Sequence, residues 1–344
     1  MRQLTRTTRT RTTRTRRPGT VTAALVAAAA VSASLMAGCT SDDRPSDDGR
    51  GSQTQSRSQE PDQPTSPTPK SKDVGPVLAV KIDNVPAARP PTGLEAADIV
   101  YAEQVEGGLS RLMAVYATRL PPAIGPVRSA RESDLELLSQ FDEPTLAFSG
   151  AQSKLLPLID RARLNAESPE SAASGAYFRG RDRAAPHNLF LRPQRLIAAA
   201  PGADALTTGF RYGAAPEGGT PEKSRTVHFP SARFTFTWSA ERHGWLVSMD
   251  GTPSVTTDDD RIAAATVVVQ YVKVRESRFH DVLGNNTPYT ESVGSGRAQV
   301  LRDGRTYDVK WRRGAATDGT DFTTTNGTPV NFAKGQVWVV FAKA

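Results

Sequence analysis

The 344 residues carry 43 Lys and Arg against 36 Asp and Glu, a formal charge of +7 at pH 7. Seven arginines near the N-terminus (Arg2, Arg6, Arg9, Arg11, Arg14, Arg16 and Arg17) supply that excess, and setting them aside leaves 36 basic residues facing 36 acids. The basic balance is therefore no footprint of nucleic acid, which is excluded as a partner class. The single cysteine, Cys39, likewise excludes an internal disulfide framework.

Residues 1–38 read as a secretory signal. The arginine-rich start is followed by an alanine-rich apolar stretch from Val21 to Met36 and by small residues at a cut site. That stretch is too short and too weakly apolar for a stable membrane span, which takes about 20 strongly apolar residues. Leu35-Met36-Ala37-Gly38-Cys39 resembles a bacterial lipobox, with Met36 where leucine is usual. The resemblance implies that the Cys39 thiol takes a diacylglycerol and that cleavage leaves Cys39 as the mature N-terminus. Two acyl chains, palmitate among them, give the stable anchoring that one chain does not. The expected address is the outer, extracytoplasmic face of the cell membrane. Arg16-Arg17 raises twin-arginine export beside the general secretory route, and both stay open.

Residues 39–73 form a tether rich in Ser, Pro and Asp. From Ser41 to Lys72 there is no large apolar residue, so the segment cannot bury enough surface to offset chain entropy. Pro61, Pro64, Pro67 and Pro69 stiffen its end.

Residues 74–205 read as an α/β or α+β domain with a mixed sheet. Pro76–Asp83, Ala97–Val105 and Leu109–Ala117 are strand-like, and Gly107-Gly108 joins the last two as a hairpin. Ser129-Ala130-Arg131-Glu132 fits a capping box that opens a helix. Thr145–Ser149 reads as a strand, and Gln152–Arg161 and Arg192–Ala200 as helices. Residues 206–225, rich in Gly, Pro and Thr, read as a linker. Residues 226–344 then read as a mainly antiparallel β domain packed on the first. Its strands are Arg233–Trp238, Trp245–Met249, Thr266–Val274 and Gln336–Phe341, with a hairpin turning at Asp303-Gly304.

Nucleotide-binding loops, serine-hydrolase elbows and zinc-protease helices are absent, and the four histidines lack metal-ligand spacing. No metal or other cofactor is implied. Three polar clusters remain. Glu106-Gly107-Gly108 with Arg111 places a carboxylate at a strand end, where glycines permit close approach of a ligand; an exposed Glu–Arg pair in a plain hairpin is the alternative. Gly125-Pro126-Val127-Arg128-Ser129-Ala130-Arg131 feeds two arginines into the start of a helix, where dipole and free N–H groups favour anions. Pairing of those arginines with Glu132, Asp134 or Glu136 is the bland reading. Arg179 to Asn188 puts Asp182, His187 and Asn188 in one loop, either as a proton-shuttling site or as a loop pinned by its own hydrogen bonds.

VKIDNVPAARPPTGLEAADIVYAEQVEGGLSRLMAVY, IGPVRSAR and DRAAPHN, with GRAQVLRDGRTYDVKW and GQVWVV near the end, resemble the YerB-like family of bacterial lipoproteins. The resemblance spans about residues 76–344. It implies a two-part architecture and a membrane address, and no reaction, because the family is a domain of unknown function.

The leading expectation is a lipid-anchored envelope protein that binds an anionic or polar ligand through Arg111, Arg128, Arg131 and Asn188. A cell-wall glycan or peptide would fit. One rival is an envelope hydrolase or transferase with Glu106 as acid or base and His187 or Asp182 as partner, which requires Glu106 and His187 to face one cleft. Another is a scaffold whose β domain docks a protein.

Overall fold

The computed structural model describes residues 74–281 and 284–344. The signal, Cys39 and the tether lie outside the described residues.

In the first half the strands are β1 (Leu78–Asp83), β2 (Ile99–Gln104), β3 (Ser110–Tyr116), β4 (Thr145–Ala147), β5 (Asn165–Glu167), β6 (Tyr177–Arg179) and β7 (Leu189–Leu191). Helix α1 (Glu132–Leu138) precedes β4, and α2 (Leu156–Ile159) follows it. The second half adds β8 (Thr220–Pro221), β9 (Ser224–Phe229), β10 (Ala232–Ser239), β11 (Gly244–Met249), β12 (Thr252–Pro253), β13 (Ala263–Ala264) and β14 (Thr266–Val272). It ends with β15 (Val274–His280), β16 (Asn286–Thr290), β17 (Gly294–Arg302), β18 (Arg305–Arg313), β19 (Asp321–Thr323) and β20 (Val337–Lys343).

The main sheet runs β19-β18-β17-β14-β20-β2-β3-β1-β4-β5, with β8 alongside β18. In the first half it is mixed: β1–β3 and β2–β3 are antiparallel, β1–β4 and β4–β5 parallel. Second-half strands pair antiparallel except β20, which lies parallel to both β14 and β2. The last strand of the chain thus joins the two halves into one sheet. VWVVFAK supplies the continuous β-branched and aromatic run that a strand buried on both faces requires.

The two faces carry separate cores, sorted by the two-residue period of the strands. Leu78, Val80 and Ile82 point to one core, while Val77 and Ala79 belong to the other. On the first face the smaller sheet β12-β11-β10-β9, with β13 on β11, lays Phe234 and Phe236 against Trp338 of β20 and adds Trp245 to the same core. These four are fully buried, and truncating one such aromatic costs roughly 3–5 kcal/mol. On the second face, α1 contributes Leu137 and Leu138, and Phe322, Phe332 and Phe341 complete the core.

The turns follow the sequence. Asp303 (φ 50°) and Gly304 (φ 70°) both take the left-handed conformation that a two-residue hairpin turn demands, as do Asp250 (φ 53°) and Gly251 (φ 86°).

The helices depart from expectation. α1 starts at Glu132, not at Ser129: the Asp134 carboxylate accepts the Arg131 N–H (2.7 Å), so the cap lies two residues further on and is one-sided, because an arginine side chain cannot accept in return. The segment 152–161 holds only the four residues of α2, and 192–200 only a 3-10 turn, Pro193–Arg195. Residues 206–225 lie along the main sheet, with β8 on β18 and Phe210 packed on Phe322 and Phe332 at 5.9 and 4.9 Å between ring centres.

Candidate functional site

β1 ends at Asp83, β3 begins at Ser110, and register puts Asp83 opposite Arg111. The loop from Pro126 to Arg131 is stitched across the same strand end. Asp83 N–H donates to the Pro126 carbonyl (2.8 Å), and Arg128 N–H to the Lys81 carbonyl (2.7 Å). Three arginines, Arg111, Arg128 and Arg131, therefore meet at one end of the sheet. They line a cleft of ≈ 530 Å³ together with Asp83, Glu106 and Gln152. The hairpin β15–β16 closes its rim with Phe279, Asn285 and Thr287.

Each arginine is held differently. Arg131 meets Glu106 fork to fork, Nε to Oε1 at 2.6 Å and Nη2 to Oε2 at 2.8 Å, the strong two-bond geometry of guanidinium and carboxylate. Thr287 Oγ1 donates to the same carboxylate at 2.7 Å. Burial works to raise the Glu106 pKa, but the bonds and charge of Arg131 and the Thr287 bond outweigh it and hold it below the ordinary value. Arg128 Nε lies 3.2 Å from Asp83 Oδ2, an ion pair whose angle makes no hydrogen bond. Asp83 Oδ2 is also 2.8 Å from His187 Nδ1.

Arg111 has no carboxylate partner among the described residues. It is 9% exposed. Its Nη1–H donates to the Ser129 carbonyl at 3.2 Å, and its Nε is buried without a partner. Burial first, then the neighbouring charges of Arg131 and Arg128, push its pKa down to about 10 against the pull of Glu106 and Asp83. Burying a charge costs several kcal/mol unless it is compensated, and for Arg111 the nearby carboxylates of Glu106 and Asp83 offset part of that cost without touching it.

The acids of α1 are taken elsewhere. Glu132 accepts from Ser277 Oγ (2.6 Å) and Arg278 Nη2 (2.9 Å), and Glu136 from Tyr289 OH (2.8 Å) and Ser292 N–H (2.7 Å), which fasten the hairpin β15–β16 and its continuation to the helix. Asp134 receives the Lys81 ammonium at 2.6 Å, and Lys81 also donates to Glu103 at 2.8 Å. This triad is shut away from solvent, and Ser133 Oγ donates to Glu103 at 3.0 Å. Burial, opposed by Lys81 and reinforced by Asp134, pushes Glu103 up to about 7. Because Asp134 also caps Arg131, the triad fixes where the Arg131 fork starts. Helix α1 has only seven residues and its first turn bears Glu132 and Asp134, so the cations at the site are the side chains of the arginines, set among the carboxylates of Asp83, Glu106, Glu132 and Asp281 that line the same cleft.

The two glycines at the hairpin differ. A side chain at Gly107 (φ 67°) would meet nothing within 4 Å, and this residue lines the cleft. At Gly108 (φ 71°) a Cβ would sit 2.5 Å from Pro230 Cβ; here close approach serves the turn between β9 and β10, whose Ser231 N–H donates to the Gly108 carbonyl (2.8 Å).

Of the remaining sequence candidates, Asn188 and Asp182 make no contact with the three arginines among the described residues, and His187 meets them through Asp83. Asn188 Nδ2 donates to the Gly180 carbonyl (2.9 Å) and its Oδ1 accepts from Arg179 (2.8 Å), which pins its own loop. Asp182 is exposed. Arg183 ties that loop to the carbonyls of Ala88 and Pro90, both at 2.6 Å. His187 reaches the cleft only through Asp83, which it shares with Arg128. Sequence reasoning passed over Asp83, Lys81, Glu103 and Thr287, and named Asp134 only as a possible partner of the arginines. The one available signal was Lys81 in the middle of an otherwise apolar strand, since a lysine buried there must find carboxylates.

Comparison with known proteins agrees with this architecture. The family described as "Protein of unknown function (DUF3048) N-terminal domain" matches residues 65–206, and its C-terminal domain matches residues 225–339. A curated relative, "Putative lipoprotein YerB" of Bacillus subtilis, is 45% identical over 65 residues, 19% of this chain and 20% of that protein. The chain thus matches about a fifth of that relative's length. The crystal structure of the Bacillus subtilis YerB protein shares the fold, with a TM-score of 0.66 at 18% identity over 78% of this chain and 91% of that one. The matched domains together span most of the sequence, and the chain belongs to the YerB-like DUF3048 family.

Proposed function

We propose that this protein is a lipid-anchored receptor of the cell envelope, which holds an anionic ligand in the cleft of Arg111, Arg128 and Arg131. The observation that carries the reading is the state of Arg111, which lines the cleft, is buried, makes no direct carboxylate contact among the described residues, and has a buried Nε without a partner. Arg128 supports it, since its guanidinium, ion-paired with Asp83 through Nε, makes no hydrogen bond among the described residues. Arg131, spent on Glu106, builds the wall. Glu106 in turn is a poor proton donor near neutral pH, because its pKa is held low. The geometry therefore favours binding over acid–base chemistry at Glu106.

The anchor rests on the lipobox-like sequence at Cys39 and on the lipoprotein name of the YerB relative. No helix among the described residues is long and apolar enough to cross a membrane. The anchor and the cleft are tested separately. Cys39→Ser should move the chain from the membrane fraction to the soluble fraction; a variant that stays membrane-bound refutes lipid anchoring there. For the cleft, titrating anions into the full-length chain in detergent should raise Tm by mass action. The rise should vanish in Arg111→Met, and an unchanged rise in that variant would place the ligand elsewhere.

A further inference from the structure

The buried triad of Lys81, Glu103 and Asp134 holds the parts of a covalent bond as well as those of an ion pair. Lys81 continues the alternate-residue row of Val77 and Ala79, and Glu103 that of Ile99 and Tyr101, so both charges enter the second core at the end of an apolar row. Asp134 comes from α1. The lysine Nζ lies 2.6 Å from Asp134 Oδ1 and 2.8 Å from Glu103 Oε1. An amine nitrogen held against a carboxyl group by rigid elements is close to the geometry of attack on the carboxyl carbon, and such placement replaces a very high concentration of reactants.

The surrounding bonds fit that reaction. Arg131 N–H donates to Asp134 Oδ2 at 2.7 Å, where negative charge gathers as the carbon becomes tetrahedral. Ser133 Oγ donates to Glu103 Oε2 at 3.0 Å, which leaves Oε1 on the lysine nitrogen. The triad also has a driving force. Two charges taken out of water are costly, and joining Lys81 to Asp134 replaces an ammonium and a carboxylate by one neutral amide. The site is shut away from solvent, so water is kept from returning to hydrolyse the product.

We propose that Lys81 and Asp134 condense to an intramolecular isopeptide bond, with Glu103 as the catalytic proton carrier. Glu103 takes one proton from the Lys81 ammonium and passes it to the Asp134 carboxylate. The neutral Nζ attacks Asp134 Cγ, and the Nζ–Cγ bond forms. Glu103 takes a second proton from Nζ and delivers it to Oδ1. The Cγ–Oδ1 bond breaks and one water departs, while Oδ2 stays as the amide oxygen on Arg131 N–H. Glu103 ends as it began, and no co-reactant enters. Burial lowers the Lys81 pKa, but Asp134 and Glu103 raise it by more, so Lys81 rests as the ammonium. The first transfer is therefore uphill and conversion is slow: freshly folded protein carries the ion triad, and the amide accumulates on standing. The bond ties β1 to α1 across 53 residues, in a chain whose single cysteine, Cys39, allows no internal disulfide.

The test is mass spectrometry of tryptic digests of the full-length chain, taken from detergent at once after purification and again after several days at neutral pH. The aged chain should yield a branched peptide that joins the Lys81 and Asp134 segments. It should be lighter by one water than the two peptides together and uncut after Lys81. Glu103→Gln, checked by circular dichroism to be folded, should form it roughly a hundredfold more slowly, the worth of a positioned acid–base group. Cleavage after Lys81, with both peptides at full mass in the aged wild type, would overturn the bond. Fragmentation that places the link on Glu103 would overturn Asp134 as the acceptor. A branched peptide that forms equally fast in Glu103→Gln would overturn Glu103 as the proton carrier.

Discussion

Arg131 and Glu106 face each other fork to fork, at 2.6 and 2.8 Å, across the mouth of a cleft whose third wall, the β15–β16 hairpin, adds the Thr287 hydroxyl to the same carboxylate at 2.7 Å. One carboxylate thus ties together the turn after β2, the start of α1 and a hairpin 181 residues away in sequence. The Glu106 pKa is depressed, so its contribution to stability is present above the unfolded value of 4.5 and is lost as pH falls through the lower folded value. The Tm difference between wild type and Glu106→Gln should therefore be constant near neutrality and shrink below pH 4.5. A difference that grows on acidification would contradict the ion pair. At neutral pH the loss should be roughly 1.5–3 kcal/mol, the worth of charged hydrogen bonds.

Lys81 neutralises part of the charge on two buried carboxylates. Lys81→Met leaves Glu103 and Asp134 facing each other without a cation, and should cost about 3–5 kcal/mol by urea denaturation. A cost under about 1 kcal/mol would show that the triad is not closed in solution.

Glu103 runs opposite to Glu106. Its folded pKa is raised, to about 7 from 4.5, so its contribution is fully present below 4.5 and is lost as pH rises through about 7. Glu103→Gln should be relatively more stable, against wild type, at pH 8 than at pH 4 by this term alone. Measuring Tm for both proteins across that range checks it, and the reverse trend would refute it.

Gly107 and Gly108 share a left-handed backbone but differ in surroundings. Gly107→Ala pays only the backbone strain, about 1–2 kcal/mol. Gly108→Ala adds a collision with Pro230 and should cost a further 1–3 kcal/mol or so. Equal losses in thermal denaturation would mean that the β9–β10 turn does not rest on this hairpin.

The sequence disclosed the strands and little of the helices. β3, β10, β14, β18 and β20 are legible because β-branched and aromatic residues alternate or run unbroken between turn residues. Helix α1 was placed two residues early because its cap, Asp134, is chosen by Lys81, a partner 53 residues away. Residues 192–200 look helical by composition, yet only Pro193–Arg195 turns, since Ile197 is the position packed into the core. At the site, Arg128, Arg131 and Glu106 stand out as charges beside glycines in loops, while Arg111 is in β3. Asp83 stays hidden as the last letter of an apolar strand, and its facing Arg111 is a matter of register. Thr287 could not be found at all, because nothing local in NTPYT points toward Glu106.

Arg111 carries the central claim, and its replacement by an apolar side chain of similar length tests it most directly. Tm is measured for wild type and Arg111→Met, each without and with inorganic phosphate. A buried cation with no direct carboxylate contact costs stability that a functional site retains. Arg111→Met should therefore melt no lower than wild type in the absence of phosphate, while only the wild type gains Tm when phosphate is added. A variant that melts far lower and still gains Tm with phosphate would show that Arg111 is a structural residue and that the anion binds elsewhere.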